Sequence, residues 1–338
     1  MQQLVGHYGL DPKHCAFVNL EDPRLSRALS YETLEQLVSG FRGRHQDAER
    51  LYFFLDEIQS VQGWQRWLRS QIDRPRGHVF VISGSNAELL SGELATALTG
   101  RHLTIELFPF DLAECRAGWP GTDLADYLAG GGFPEPRRLS ADRDRLLRQY
   151  FDDIVERDVR ERVSARSSRA IRQAIQMVFE SAGAELSLRR IAAAAGVAVD
   201  SARTYIEGCE AAYILYSCPW FAFSERKRAS RNRKYYPVDT ALRRVVATRG
   251  GADRGKDLEC AVHLALRRRF GTVHYWREGG EVDFVVHHDG RVRPVQVTWE
   301  APSERHHKAL DAFYERFPQA EEAVFITADT FERELERL

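Results

Sequence analysis

Short apolar runs alternate with polar, helix-spaced stretches over the first 115 residues. The runs are Ala16 to Leu20, Leu51 to Leu55, His78 to Ser83 and Leu103 to Leu107, and the pattern predicts a strand at each. Between them, Tyr31 to Phe41 and Trp64 to Ile72 carry the spacing of amphipathic helices. Strands separated by helices of this length predict a parallel sheet with helices on both faces, and hence an α/β fold. Ligands of such sheets sit at the carboxyl ends of the strands. The second run, LYFFLDEIQS, ends there in two carboxylates, Asp56 and Glu57, and the third ends in Ser83-Gly84-Ser85-Asn86.

A glycine-proline cluster, GGGFPEP (130 to 136), closes this region and a helical stretch follows from Ala141 to about Ser181. Residues 186 to 215 then read as a helix-turn-helix. A helix rich in small residues is followed by a turn at Gly196 and by a second amphipathic helix carrying Val199, Ala202, Tyr205 and Ile206. The strands and basic loop after it would form a wing. In the last hundred residues a helix from Leu258 to Arg269 leads to strands at Val273 to Trp276, Glu281 to His287 and Arg293 to Trp299, with a hairpin signal at Asp289-Gly290. The expected segments are an α/β core over 1–140, a helical linker over 141–182, a winged helix over 183–240 and an α/β domain over 241–338.

Charge adds one local feature. The net charge of −1 gives the whole molecule no general attraction for nucleic acid, but ERKRASRNRK (225 to 234) holds six basic residues against one acid. Arg226, Lys227, Arg228, Arg231, Arg233 and Lys234 are therefore the candidate phosphate contacts. The five cysteines are widely spaced and never form C-x-x-C, which argues against a zinc site or a disulfide framework. The histidine pairs 287–288 and 306–307 place their rings on diverging faces and make no ready metal clamp. No apolar run reaches the ~18 residues of a membrane span, so a cytoplasmic protein is expected, with nucleic acid, a protein partner or a second copy of the chain as possible partners.

An apolar strand running into Asp-Glu calls for a phosphate-cradling loop, G-x-x-x-x-G-K-[ST]. The one near match, GGADRGKD (250 to 257), ends in an aspartate, follows a helical segment and lies far downstream of the acids. It reads as a glycine turn opening the next helix.

In order and spacing, FVNLEDPRL, FFLDEIQSVQGW, VFVISGSNAELLSGELATALTGR, LFPFDLAEC and GGFPEP resemble the AAA-type ATPases that carry a C-terminal domain of unknown function 4143. The resemblance covers nearly the whole chain. It implies ATP and magnesium as cofactors, with Asp56 organising the magnesium, Glu57 polarising the attacking water, and Ser83 or Asn86 sensing the γ-phosphate. Arg101 and Arg157 match recurring family arginines that could stabilise transferred charge. On this reading the family's phosphate loop would fall just upstream of Met1, and the chain as written is expected to hydrolyse ATP negligibly.

The resemblance continues in GKDLECAVHLALRRR, YWREGGEVDFVV and PVQVTW, which look like the helix and strands of a PD-(D/E)XK nuclease-like domain. Glu259 and Asp283 fill two of its acid positions. Gln296 stands at the third and Thr298 where the lysine belongs, which argues against nuclease activity and for a binding or assembly module. Lys308, on the following helix, is a weaker substitute. The alternative reading is a winged-helix DNA-binding protein with a degenerate nuclease domain.

Overall fold

The computed structural model describes residues 2–25, 29–74, 78–85, 100–248 and 253–338. The chain forms two compact units, Met1–Glu106 and Leu107–Leu338.

In the first unit, β1 (Cys15–Asn19), β2 (Tyr52–Asp56) and β3 (Val79–Ile82) form a parallel sheet in that order. Side chains alternate along each strand. The row Val18, Leu55 and Ile82, with Ala16, Phe53 and Phe80 beside it, packs on the helices Tyr31–Arg44 and Trp64–Ile72 through Leu34, Val38, Trp64, Trp67 and Leu68. Both tryptophans are core residues, and the Trp67 indole donates to Glu35 at 2.9 Å. The opposite row is Phe17, Phe54 and Val81, in which Phe17 is 59% and Val81 43% exposed while Phe54 between them is buried. Among the described residues these two helices cover one face of the sheet, where the sequence pattern predicts helices on both.

The run Leu103 to Leu107 is a second departure. It is not a strand, and Leu103, Ile105 and Leu107 are each at least 74% exposed. Alternation supplies a face but no ladder, and among the described residues no strand pairs with it.

The second unit contains a helical middle and an α/β end, each with its own core. The GGGFPEP cluster belongs to this unit. Phe110 N–H donates to the Gly132 carbonyl, and Gly132 N–H donates to Asp239, which also caps the helix Thr240–Val246. Gly131 has φ +69°, and a Cβ there would lie 2.4 Å from the Asp239 oxygens, so the close approach requires glycine. The stretch expected to be helical through Ser181 is Arg143–Asp153, a π-helical Ile154–Arg160, and Ser168–Glu180.

Leu188–Ala195 and Val199–Ala211 form the helix-turn-helix, with Gly196 in the left-handed conformation at the turn. The antiparallel pair β4 (Leu215–Cys218) and β5 (Lys234–Pro237) follows it, where the sequence reading expects a wing. The helix Arg254–Phe270 then packs on a sheet of β6 (Val273–Arg277), β7 (Glu281–His288), β8 (Arg291–Val297) and β9 (Val324–Ile326). Asp289 and Gly290 both have positive φ, as a two-residue hairpin turn demands. The strand β9 pairs parallel to β8; it lies in the apolar run Ala323 to Ile326, where the sequence reading places no strand. No helix among the described residues is long and apolar enough to cross a membrane.

Candidate functional site

Two acid clusters stand out, one in each unit. In the first, β2 delivers Asp56 to the carboxyl edge of the sheet beside Asn19 of β1. The Ser83 hydroxyl, just past the end of β3, donates to Asp56 Oδ1. Ser83 N–H donates to the Leu55 carbonyl and Ile58 N–H to the Ser83 carbonyl, which pins the chain on either side of Glu57. Glu57 itself is left-handed, at φ +54° and ψ +47°, an uncommon conformation for a non-glycine residue and one found at functional turns. The Gln59 side-chain amide donates to its carboxylate. Both acids are half-buried, and the sharp turn presents them side by side at the strand's end.

The donors at this edge are oxygens, the chemistry that magnesium selects. Asp56 and Ser83 would hold the ion, which keeps several waters of its own and neutralises phosphate charge when bound. Within residues 1–106 the single lysine is Lys13, in the turn Pro12–His14 that leads into the amino end of β1 and hence at the opposite edge from Asp56. Arg101 pairs with Asp73 at the carboxyl end of the Trp64–Ile72 helix. That helix starts after the acid edge and ends before β3 begins, so Asp73 and Arg101 lie toward the amino edge of the sheet and are not brought to Asp56. Asn86 lies outside the described residues. Arg157 belongs to the second unit, on the π-helical stretch beside Asp158, with its side chain 58% exposed. A cavity of about 880 Å³ opens between the two helices of the first unit, and neither Asp56 nor Glu57 lines it.

The near match to a phosphate loop has another role. Asp253 caps the helix Arg254–Phe270 by accepting from Lys256 N–H, and Lys256 Nζ donates to the Glu180 carbonyl. Asp257 is buried and paired with Arg243 at 2.5 Å. Gly250 lies outside the described residues.

The second cluster forms where β5 meets β7 and the Arg254–Phe270 helix. Lys234, read from sequence as a phosphate contact, is 1% exposed and cannot serve as one. Its ammonium lies 2.6 Å from Glu281 Oε1 and 3.5 Å from Glu259 Oε1. Two residues on, and so on the same face of β5, the Tyr236 hydroxyl donates to Glu259 at 2.7 Å. Asp283 shares its face of β7 with Glu281 and accepts from Val297 N–H at 2.8 Å. Burial alone disfavours the Lys234 ammonium, but the fields of Glu259, Asp283 and Glu281 reverse this and hold its pKa above the ordinary value. Burial and the nearby Glu259 push the Asp283 carboxyl up to about 7, against the pull of Lys234.

Gln296 is not a neutral substitute for a metal-binding acid. Fully buried, it accepts from Asp283 N–H at 3.0 Å and donates to the Glu281 carbonyl at 2.9 Å. The backbone ladder between β7 and β8 runs from His288 and Arg291 only as far as Phe284 and Val295. Beyond that point the Gln296 amide supplies the cross-strand bonds. Thr298 carries the chain on to β9, its N–H donating to the Ile326 carbonyl, and it does not line the acid cavity. Lys308 stays in solvent, paired with Glu304. The family resemblance implies a lysine where Thr298 stands; the lysine that the structure brings to these acids is Lys234. Its sequence signal is a single lysine at the head of the otherwise apolar strand KYYP.

The remaining basic residues of the patch divide. Arg228 pairs with Glu225, and Arg231 pairs with Glu278 at 2.9 Å while lying over the Trp220 ring. Arg226, Lys227 and Arg233 are exposed.

Residues 1–116 match the family model of an AAA domain, residues 121–253 that of the domain of unknown function 8612, and residues 254–337 that of the domain of unknown function 4143. An uncharacterized protein of Haemophilus influenzae is 27% identical over 315 residues, covering 88% of this chain and 78% of its own length. One from Methanocaldococcus jannaschii is 26% identical over 325 residues, 88% of this chain and 71% of its own. One from Mycobacterium bovis is 28% identical over 256 residues, 70% of this chain and 56% of its own. A crystal structure of a Vibrio cholerae protein aligns with 96% of this chain and 97% of its own at 12% identity, with a TM-score of 0.19 that carries no argument.

Proposed function

Given that the chain carries an AAA domain at its N-terminus and the domain of unknown function 4143 at its C-terminus, we propose that its first unit is the acid half of an ATP·Mg site. In this reading Asp56 organises the magnesium with the Ser83 hydroxyl, and Glu57 polarises the attacking water. The observation that carries it is the edge itself: a parallel strand ends in a carboxylate held by the neighbouring strand's serine, followed at once by a left-handed glutamate. Phosphoryl transfer is mostly positioning and charge neutralisation. Because the single lysine of residues 1–106 lies at the other edge, the first unit presents the acids without a lysine beside them to hold the β- and γ-phosphates. The expected result is phosphate release from ATP at background level, the same for wild type and Glu57→Gln. Magnesium-dependent turnover that Glu57→Gln abolishes would keep the acid roles and overturn the missing cation, whereas magnesium-dependent turnover that Glu57→Gln leaves unchanged would overturn the acid roles themselves.

For the winged helix we propose contact with a protein rather than with nucleic acid. Of the six basic residues, Lys234 is buried and Arg228 and Arg231 already meet acids. The second helix of the motif, Val199–Ala211, carries one basic residue, Arg203. Duplex DNA binding that falls steeply with salt and weakens in an Arg226→Ala/Lys227→Ala variant would reverse this reading.

A further inference from the structure

The acid cluster of the second unit contains a cation of its own. Glu259 comes from a helix, Glu281 and Asp283 from β7, and Lys234 from β5; Glu259 and Glu281 reach the ammonium directly, and Asp283 lines the same cavity as both. The ammonium also lies over the Tyr275 ring, 5.4 Å from its centroid. A cavity of about 580 Å³ opens onto the three carboxylates, with Arg277, Arg305 and His306 also in its walls.

We propose that Lys234 is the resident cation of this site, its ammonium occupying the place among Glu259, Glu281 and Asp283 that a divalent metal ion would otherwise take. The native chain then holds the cluster together without metal, and removal of the ammonium opens a divalent-cation site.

Three features support this. An ammonium that is 1% exposed is held in place only if carboxylates compensate it, and two do so here directly. A divalent ion entering beside it would have to displace a side chain packed against Tyr275. Finally, two of the three carboxylates have anchors other than the ammonium. Glu259 is held by Tyr236 and by the close approach of Gly183, where an added Cβ would lie 2.6 Å from its Oε2. Asp283 is held by Val297 N–H. These anchors on Glu259 and Asp283 do not depend on the ammonium.

The test uses the full chain with Asp56→Asn, so that the first unit's acid does not contribute, and Mn²⁺ as the probe at pH 8. The expected result is no Mn²⁺-dependent shift in melting temperature with Lys234 present. The further substitution Lys234→Met should give one Mn²⁺ per chain, bound at least about tenfold tighter than background and raising the melting temperature. Asp283→Asn added to that variant should abolish both effects. Stoichiometric Mn²⁺ binding with Lys234 in place, lost on Asp283→Asn, would overturn the proposal, as would a folded Lys234→Met that gains no Mn²⁺. Should Lys234→Met fail to fold in EDTA, the milder Lys234→Met/Glu281→Gln keeps Glu259 and Asp283 and decides the question in the same way: gain of Mn²⁺ binding supports the proposal, and no gain refutes it.

Discussion

Asp56 in the first unit and Asp283 in the second are both strand aspartates with a glutamate close by, yet their surroundings treat the charge in opposite ways. Asp56 ends a parallel strand at an edge where its described partner is a serine hydroxyl, and the nearest lysine in sequence is at the far end of the sheet. Asp283 lies within a strand over a buried ammonium, its backbone bonded to Gln296 and its carboxylate to Val297. In the first arrangement no cation meets the carboxylate among the described residues of its unit. The second supplies one from within. An acid motif alone therefore does not distinguish a site awaiting a cation from one already carrying it; the position of the nearest lysine in three dimensions does.

The contrast can be tested by substitution. Lys234→Met should have the largest effect, a loss of about 3–5 kcal/mol in urea unfolding at pH 8, because three carboxylates are left facing one another. If the loss is under about 1 kcal/mol, the ammonium is not the cluster's keystone. Gln296→Glu should come next, at about 2 kcal/mol, since a carboxylate cannot donate to the Glu281 carbonyl and adds charge beside Asp283. A neutral outcome would restore Gln296 as a mere stand-in for an acid.

A pH series should show a smaller effect. From pH 3.8 to about 7, native Asp283 keeps a proton that the unfolded chain has lost, so its contribution to stability is present below that window and lost as pH rises through it. His263, lowered by burial to about 3 from 6.5, acts the opposite way over the lower part of the range. The stability advantage of wild type over Asp283→Asn isolates the first effect and should decline from pH 4 to 7; a rising advantage would show that Asp283 is native as a carboxylate throughout. The smallest effect belongs to the other cluster. Glu57→Gly should stabilise by about 0.5–1 kcal/mol, by releasing a left-handed glutamate, while Asp56→Asn should not. If Glu57→Gly destabilises, its side chain is supporting the edge rather than being strained by it.

Much of the fold is legible in the sequence. The run Leu51 to Leu55 ending in Asp56 locates β2, and the 3.6-residue spacing locates the helix Trp64–Ile72 to the residue. Gly196 is readable as a turn because only a left-handed residue closes that helix pair tightly. What is not legible depends on what lies opposite a residue. The alternation of Leu103, Ile105 and Leu107 looks like a strand but says nothing about a neighbour to pair with. Period two places Gln296 on a face but does not reveal that its amide bridges to the backbone of β7. Lys234 sits among basic residues that face solvent, and the carboxylates that bury it follow 25, 47 and 49 positions later. Its role is a long-range contact, which local composition cannot announce.

Lys234 and Glu259 also fall on opposite sides of residue 253, where one family segment ends and the next begins. Severing the chain there would strand a buried ammonium on one fragment and its counter-charges on the other. The two segments should therefore melt in a single calorimetric transition and be inherited together, a seam in sequence that is not a seam in the folded protein.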